Sequence, residues 1–344
     1  MFAPGHLGEF TQYPPSGLVD DVLEQTRTVQ RRLRDLPSRA GVYFVLALGM
    51  FPRLGYARVW GKLTAGLAGL DLPRPSEKAL RDLRRRLGPA PLRALFEIEA
   101  GPLAQPRTPG VRFCGLRTVA FDGCNSVKIP DTGRNQSWIG KIRYRIGLAG
   151  YPTLRLMALA ETGTRGLLGA TVGSVTDRDE TTLARRLLPL LGPGMLVLLD
   201  RAFDANWFFA DIAGTGAVLL ARARCSRNPQ VAGHLPDGSY LSCLDGLTVR
   251  IIDADLVMTG ADGSRIGDRY RLITTLLDPC RYPADLLVRL YHERWEIEVR
   301  HLQCTSSRVW SSCLSSWVVA RGVLAGLGPS CPGVIARRAG PAFA

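Results

Sequence analysis

Several features that would define other protein classes are missing from this chain. Its 344 residues include only four histidines, and its eight cysteines are scattered with no C-x-x-C pair. That spacing argues against a zinc site and against a disulfide framework. We therefore expect reduced thiols and a cytoplasmic protein.

Long apolar runs are also missing. The longest covers residues 40–51 and is followed by Pro52, so it is too short to span a bilayer and is interpreted as a buried helix. The first residues, MFAPGHLGEF, lack a charged segment followed by an apolar one. They therefore predict no signal peptide, and we expect no membrane partner.

Acidic residues are in short supply. The chain has 30 Asp and Glu against 44 Lys and Arg, a net charge of +14, and arginine supplies nearly all of the positive charge. Such an excess favours a polyanionic partner, most often nucleic acid, although a membrane surface or a role in solubility alone are alternatives. With 46% apolar and 22% charged residues, the composition is globular, and the length allows two domains with their own cores.

The first third of the chain is predicted to be helical. Apolar positions predict helices that begin near Leu18, Gly41 and Tyr56, and Ser76 is predicted to cap a helix over 77–87 that Gly88 ends. In that last helix the leucines share one side, while the other side carries Arg81, Arg84, Arg85 and Arg86. This pattern is typical of a DNA-reading helix in a helix-turn-helix motif, and equally of any basic surface helix.

The Pro/Gly-rich stretch 101–110 is predicted to link this region to a second domain. The runs 118–123 and 195–200 are β-type and each ends in or near an aspartate, and the second suits a strand buried on both faces of a mostly parallel sheet. Helices are predicted near 181–191 and 206–212. Further β-type runs lie at 144–150, 154–161, 217–223, 247–252 and 270–277. The last three predict a β-rich insertion.

Three acids stand out from this background. Asp122 and Asp200 close predicted strands, and Glu298 shares a predicted helix face with Tyr291 and Arg294. Strand ends in an α/β sheet converge on one edge, and carboxylates brought together there can bind Mg²⁺ or Mn²⁺. The alternative is that the aspartates are turn or cap residues and that the helix is a solvated, charged one.

The order Asp122, Asp200, Glu298, with the spacing Tyr291-x-x-Arg294-x-x-x-Glu298, resembles the bacterial DDE transposases of the insertion-sequence-four type. Other matching stretches are TVAFDG followed by KIPDT, LLDRAFDANWFF, and YRLITTLLDP just before LVRLYHERWEIE. The resemblance covers about residues 15–298.

The resemblance implies an α/β fold, namely a ribonuclease-H-like mixed sheet with helices and a β-rich insertion, preceded by an all-α N-terminal domain. The expected boundaries are 1–105 for a helical DNA-binding domain and 111–298 for the catalytic domain, with the insertion at about 214–280. The implied activity is metal-dependent cleavage of DNA at the element's ends and strand transfer into target DNA.

The resemblance also implies roles for single residues. Asp122, Asp200 and Glu298 would be the catalytic ligands of Mg²⁺ or Mn²⁺, with two ions expected, and Tyr291 and Arg294 would hold DNA phosphate. Arg201 would face DNA as well. The implied partners are double-stranded DNA, both terminal inverted repeats and target, and a second copy of the chain in a homodimeric synaptic complex at the nucleoid. Trp207 and Trp295 are candidates for stacking on a displaced base, with a place in the core as the alternative.

The resemblance stops soon after Glu298. The family has a basic residue seven positions later, where this chain has Thr305, and residues 299–344 are rich in Ser, Cys and Gly without amphipathic periodicity. We hypothesise that this atypical tail comes from a frameshifted or degraded reading frame, the alternative being a divergent but working C-terminus. A defective transposase remnant that only binds DNA is therefore the rival function. A tyrosine recombinase using Tyr291 would need an Arg–His–Arg set that the sequence does not show.

Overall fold

The computed structural model describes residues 7–293, except 33–34, 52, 68, 106, 174–178, 225 and 260–264. These residues form two compact units, one up to Glu99 together with 132–138, and one over the remainder. Among them no helix is long and apolar enough to cross a membrane.

The first unit is helical, as predicted. Its helices are α1 (Leu7–Phe10), α2 (Ser16–Gln25), α3 (Ser38–Met50), α4 (Tyr56–Thr64), α5 (Glu77–Leu87) and α6 (Ala90–Glu99). The predicted cap is confirmed, because the Ser76 side chain accepts a hydrogen bond from the Ala79 N–H at 3.2 Å and Gly88 ends α5 with φ of +66°. The apolar faces of α2 to α6 form one shared core, to which α5 contributes its three leucines.

A ten-stranded mixed sheet forms the second unit. Its strands, with a separate hairpin of β3 and β4, are β1 (Arg112–Phe113), β2 (Leu116–Lys128), β3 (Arg143–Tyr144), β4 (Gly147–Leu148), β5 (Thr153–Glu161), β6 (Leu167–Gly173), β7 (Met195–Leu199), β8 (Val218–Arg222), β9 (Gly233–His234), β10 (Tyr240–Leu244), β11 (Leu247–Thr259) and β12 (Arg265–Thr274). The spatial order is β6-β5-β2-β7-β8-β12-β11-β10-β9, with β1 beside β2.

The first five strands of that order form the expected ribonuclease-H-like sheet. Strands β2, β7 and β8 are parallel, whereas β5 and β6 pair antiparallel on the other side of β2. The run 217–223, predicted as part of the β-rich insertion, forms β8 and belongs to the core sheet, because it pairs parallel with β7. The remaining strands of the insertion extend the same sheet, because β12 pairs antiparallel with β8. The predicted mixed sheet is confirmed, and the sheet is not mostly parallel as the run 195–200 alone indicated, since hairpins supply most of the strand pairs and a hairpin joins antiparallel strands.

Helices cover both faces of this sheet. A short helix, α7 (Gly133–Ile139), lies between β2 and β3 in the chain. One face of the sheet packs with α8 (Glu180–Arg185) and α9 (Asn206–Gly214), and the other carries α10, described over 284–293. Because side chains alternate along a strand, β7 sends Val197 and Leu199 to the first core and Leu196 and Leu198 to the second. The helix predicted over 181–191 is shorter than expected, because Pro189 lacks the N–H that would continue it and a 3₁₀ turn follows instead.

Candidate active site on the central parallel strands

Asp122 lies on β2, and Asp200 directly follows the neighbouring parallel strand β7. The register of β2 and β7 pairs Thr118 with Leu196 and ends with Ala120 opposite Leu198. Continued for two more residues, past the end of β7 at Leu199, the same register would bring Asp122 alongside Asp200. Neighbouring strands are about 4.8 Å apart, and residues two apart share a face. Both aspartates are therefore on the face that carries α10.

Asp122 is not at the end of its strand, contrary to the sequence prediction. Strand β2 continues to Lys128, and the pairing of Asp122 with Ala158 of β5 lies within the antiparallel ladder. What ends near Asp122 is the parallel pairing with β7, whose last register pair is Ala120 with Leu198. The carboxylate is exposed because β7 turns away at this point.

Asp200 is held by the turn that follows β7. Its Oδ1 accepts a hydrogen bond from the Ala202 N–H at 2.7 Å and so caps the 3₁₀ turn over Arg201–Phe203. Arg201, the next residue, is exposed. The side chain of Phe203 is anchored in the core against Phe121 and Phe208. The packing of Phe203 thus fixes the turn on the core side, while Asp200 remains at the surface of the sheet.

Gly123, the glycine of the FDG stretch, lies against the side chain of Glu180. A Cβ on Gly123 would lie 2.8 Å from Oε1 of Glu180, so a larger residue would require that carboxylate to shift. Because side chains alternate, Glu180 approaches the face opposite to Asp122. Glu180 therefore does not share the face of the two aspartates.

Tyr291 is buried on the same face of the sheet as the aspartates. Its side chain is 1% exposed and belongs to the apolar cluster that includes Ala120 and Leu198. The ring stands perpendicular to that of Tyr270, with centroids 5.9 Å apart. In this arrangement Tyr291 contacts protein rather than solvent.

Arg222 is a residue that the sequence analysis missed. The register of β7 and β8 ends with Leu199 opposite Ala221, so Arg222 lies one residue past the last pair, on the same face as Leu220. Its guanidinium lies 4.0 Å from the ring centre of Tyr270, and the residue is 6% exposed. A signal was present, because a charged residue near the end of the apolar run 217–223 repeats the pattern that singled out Asp122 and Asp200.

Trp207 lies at the surface at the start of α9. It is 44% exposed, and the guanidinium of Arg185 is 5.4 Å from its ring centre. Arg185 also forms an ion pair with Asp211 at 2.8 Å. Trp207 is therefore not a core residue and is accessible for stacking.

Arg294, Trp295, Glu298, Thr305 and the tail 299–344 lie outside the described residues. Within the described part of the chain no group of three or more His, Cys, Asp or Glu side chains could hold a metal ion. Asp122 and Asp200 nevertheless fit the chemistry of such a site, since they follow neighbouring parts of one sheet and hard divalent ions prefer oxygen ligands.

The arginines of α5 do not all face the solvent. Arg84 is half-buried with its guanidinium 5.4 Å from the ring centre of Tyr56, and burial lowers the pKa of Arg84 below its usual value. Arg81 and Arg85 are exposed. Arg85 lies 3.7 Å from Asp82, a contact that solvent screens. Of the three predicted DNA contacts on this helix, Arg81 and Arg85 are accessible to phosphate.

A basic cavity of about 390 Å³ lies elsewhere in the helical unit. Four arginines line it, namely Arg27, Arg31, Arg32 and Arg86. Its wall is ordered by Ser38, whose hydroxyl donates to the Thr28 carbonyl and whose N–H donates to Gln30, both at 2.8 Å. The sequence analysis missed this cluster because three of the arginines lie between helices and not on a periodic face. Guanidinium groups in this arrangement suit phosphate oxygens.

Comparisons with known proteins match most of the chain. A family model described as the N-terminal region of the insertion element 4 transposase matches residues 4–97. The transposase InsG for insertion sequence element IS4 of Escherichia coli (strain K12) is 25% identical over 316 residues, which is 88% of this chain and 70% of InsG. The predicted transposase InsZ of the same strain is 26% identical over 204 residues, 59% of this chain and 66% of InsZ. The chain therefore spans about two thirds of the length of these relatives.

Proposed function

We propose that this chain, whose similarities support a transposase of the insertion-sequence-four type, cleaves DNA at the ends of its element and joins the freed ends to target DNA. The observation that carries the proposal is the parallel pairing of β2 with β7, which ends two residues before Asp122 and Asp200 and supports placing both on one face of the sheet. Two adjacent carboxylates repel each other unless cations lie between them. Their arrangement therefore favours metal-dependent phosphodiester chemistry.

In this proposal Asp122, Asp200 and Glu298 are the catalytic residues and hold two Mg²⁺ or Mn²⁺ ions. When bound, such ions activate a water or a 3′-hydroxyl and stabilise the leaving oxygen. Asp200 keeps its orientation through the 2.7 Å bond from the Ala202 N–H. Arg222, at the end of the strand next to β7, would offset part of the carboxylate charge. Glu298 would complete the set from beyond the described residues.

DNA binding is assigned mainly to the helical region, for which we keep the boundaries 1–105. The four-arginine cavity and the exposed Arg81 and Arg85 supply its positive charge. Arg201, exposed directly after Asp200, would contact DNA close to the scissile bond, as would Arg294. The buried Tyr291, predicted as a phosphate contact, would act instead through its packing against Tyr270. Arg84 would support α5 through Tyr56 and make no phosphate contact of its own. A homodimer on two paired ends, located at the nucleoid, completes the proposal.

A DNA-binding protein without cleavage activity is the second candidate. Thr305 favours it, because the family has a phosphate-binding basic residue at that position. Such a remnant would bind the element's ends through the helical region and leave them intact.

The test is cleavage and strand transfer in vitro on DNA carrying the element's ends, with Mg²⁺ or Mn²⁺. We expect Asp122→Asn and Asp200→Asn each to lower the cleavage rate at least a thousandfold, while a gel-shift assay shows unchanged binding of the ends. Asp255→Asn, an exposed carboxylate on β11, is the matched control and should cleave normally. Binding without cleavage by the wild-type chain would support the remnant instead.

A further inference from the structure

Arg250 is a buried charged residue whose guanidinium joins three segments of the chain. It lies on β11 with no exposed surface. Its Nε donates to the Ser239 hydroxyl and its Nη1 to the Tyr282 carbonyl, both at 2.7 Å. Its Nη2 pairs with the carboxylate of Asp237. A buried guanidinium is tolerated only when its donors are satisfied in this way.

Asp237 connects Arg250 to the first residue of α10. The residue sits in the tight turn between β9 and β10, and its Oδ2 accepts a hydrogen bond from the Ala284 N–H at 3.1 Å. Ala284 is the first residue of α10. A carboxylate at this end satisfies an N–H that has no partner within the helix and interacts favourably with the helix dipole.

The β-rich insertion thus holds the start of the helix that carries Tyr291. Two turns after Ala284, Tyr291 packs against Tyr270 of β12, on the face that carries Asp122 and Asp200. Arg250 belongs to the same face, because its neighbours Val249 and Ile251 point into the opposite core. The direction of α10 is therefore set at one end by Asp237 and Arg250.

We propose that Arg250 and Asp237 are positioning residues for the cleavage reaction, because they fix the first turn of α10 and with it the placement of Tyr291 over the strands of the two aspartates. This inference rests on the function proposed above. It assigns the insertion a role in aligning the reacting groups, and neither residue is expected to contact DNA or metal.

The experiment uses the full chain with Asp237→Ala, Asp237→Asn and the control Asp253→Asn. Asp237 lies in a surface turn, so these variants are expected to fold. Asparagine keeps an acceptor for the Ala284 N–H and should restore part of the function that alanine loses. Asp253 lies on β11, the same strand as Arg250, and forms an ion pair with Arg271 of β12. Its Oδ1 is 2.6 Å from Arg271 Nε. Its side chain is on the opposite face, so the control removes an ion pair without touching α10.

Two measurements are made on each variant. Hydrogen exchange followed by mass spectrometry reports the opening of residues 284–293 relative to β7 and β8. The single-turnover cleavage rate at saturating end DNA is compared with the dissociation constant for the same DNA. For Asp237→Ala we expect exchange in 284–293 to rise at least tenfold while β7 and β8 stay protected. We expect the cleavage rate to fall about tenfold or more with affinity unchanged, since small misplacements of reacting groups carry costs of this size.

Unchanged exchange in 284–293 would overturn the inference, whatever the cleavage rate. A uniform rise in exchange over the whole sheet, with normal cleavage, would overturn it as well and leave a purely stabilising role. The wild-type chain could fail to cleave while Asp237→Ala still raises exchange selectively in 284–293. In that case the proposed function fails, but the role of Asp237 in holding the start of α10 is supported. Cleavage lost equally in Asp253→Asn would also count against a specific role.

Discussion

The two units of this protein place their charged side chains differently. Among the described residues of the helical unit, Ser38 is the sole buried polar residue and no charged side chain is buried. The sheet unit buries Glu161, Arg222 and Arg250. Ion pairs of the helical unit lie at its surface, some between residues one turn apart on a helix, such as Arg93 with Glu97, and one between Arg39 of α3 and Asp20 of α2.

The buried charged residues of the sheet unit join segments that are distant in sequence. Glu161 accepts hydrogen bonds from Arg117 at 2.9 Å, from the Ala104 N–H at 3.0 Å and from Thr164, so it connects parts of the chain that are far apart in sequence. A buried ion pair adds little net stability relative to apolar packing, but it is costly to break and demands one geometry. The sheet unit therefore uses charge to fix geometry, and the helical unit relies on apolar packing.

The largest effect is expected at the most deeply buried carboxylate. Glu161→Gln leaves Arg117 without its charged partner, and we expect the free energy of unfolding of the sheet unit to fall by about 3 kcal/mol. The matched change Glu97→Gln in the helical unit should cost at most about 0.5 kcal/mol. Urea denaturation of both variants checks this. Similar losses would remove the contrast between the units.

A second effect concerns pH. Burial alone would raise the pKa of Asp237, but hydrogen bonds from Ser239, the charge of Arg250 and the Ala284 N–H outweigh it, and the pKa lies below its usual value. A lowered pKa contributes stability that is present above the unfolded-state pKa, about 4, and is lost as pH falls through the folded-state value.

Asp237→Asn should therefore be less stable than the wild type by about 2 kcal/mol at neutral pH, and the difference should shrink below about pH 4. Denaturation curves of both proteins between neutral and acidic pH test this. A difference that stays constant down to the most acidic pH at which the fold survives would show that the charge of Asp237 is not responsible.

Smaller changes in stability are expected from replacing one glycine in each unit by alanine. A Cβ on Gly163, in the turn after β5, would lie 2.5 Å from Val111 Cγ2 and 2.7 Å from the Gly110 carbonyl carbon. Gly163→Ala should therefore destabilise the sheet unit by about 1.5 kcal/mol. Gly61 lies within α4 with nothing within 4 Å of its Cβ position, so Gly61→Ala should stabilise by about 0.7 kcal/mol through helix propensity. Thermal unfolding of the two variants should shift in opposite directions.

The smallest effect is expected on DNA binding by the helical unit. Replacing Arg31, which lines the basic cavity, by Gln should reduce the slope of log affinity against log salt by about 0.9, one phosphate contact. Arg58→Gln, on the exposed surface of α4 outside the cavity, should leave the slope unchanged. Fluorescence anisotropy over a salt series distinguishes them, and equal slopes for both variants would exclude the cavity as a phosphate site.

Local pattern predicted most of the helices and many of the strands. Helices α2 to α6 and the Ser76 cap follow from apolar spacing and capping chemistry. Strand β10 was missed because Ser242 is buried while Cys243 is exposed, which inverts the usual apolar pattern. Strand β6 was missed because Gly169 and Gly173 interrupt its apolar run and glycine weakens a strand prediction.

The candidate site was predictable in part. Asp122 and Asp200 are recognisable because each follows an apolar run, and the strands that precede them are neighbours in the sheet. The position of Arg222 at the end of the strand next to β7 could not be predicted, since it depends on which strand pairs with β7. The contact of Arg250 with Asp237 and Tyr282 was equally out of reach, because it joins residues far apart in sequence.

By itself the sequence determined the nature of the elements, the basic charge and the acids that stand at strand positions, because near neighbours set the helical and strand periods. The tertiary structure decided the order of the strands, the position of Arg222 on the strand next to β7 and the contact of the insertion with α10. These depend on hydrogen bonds between backbones distant along the chain, and any strand with the right alternation can form such bonds with several partners. Only the folded sheet selects one.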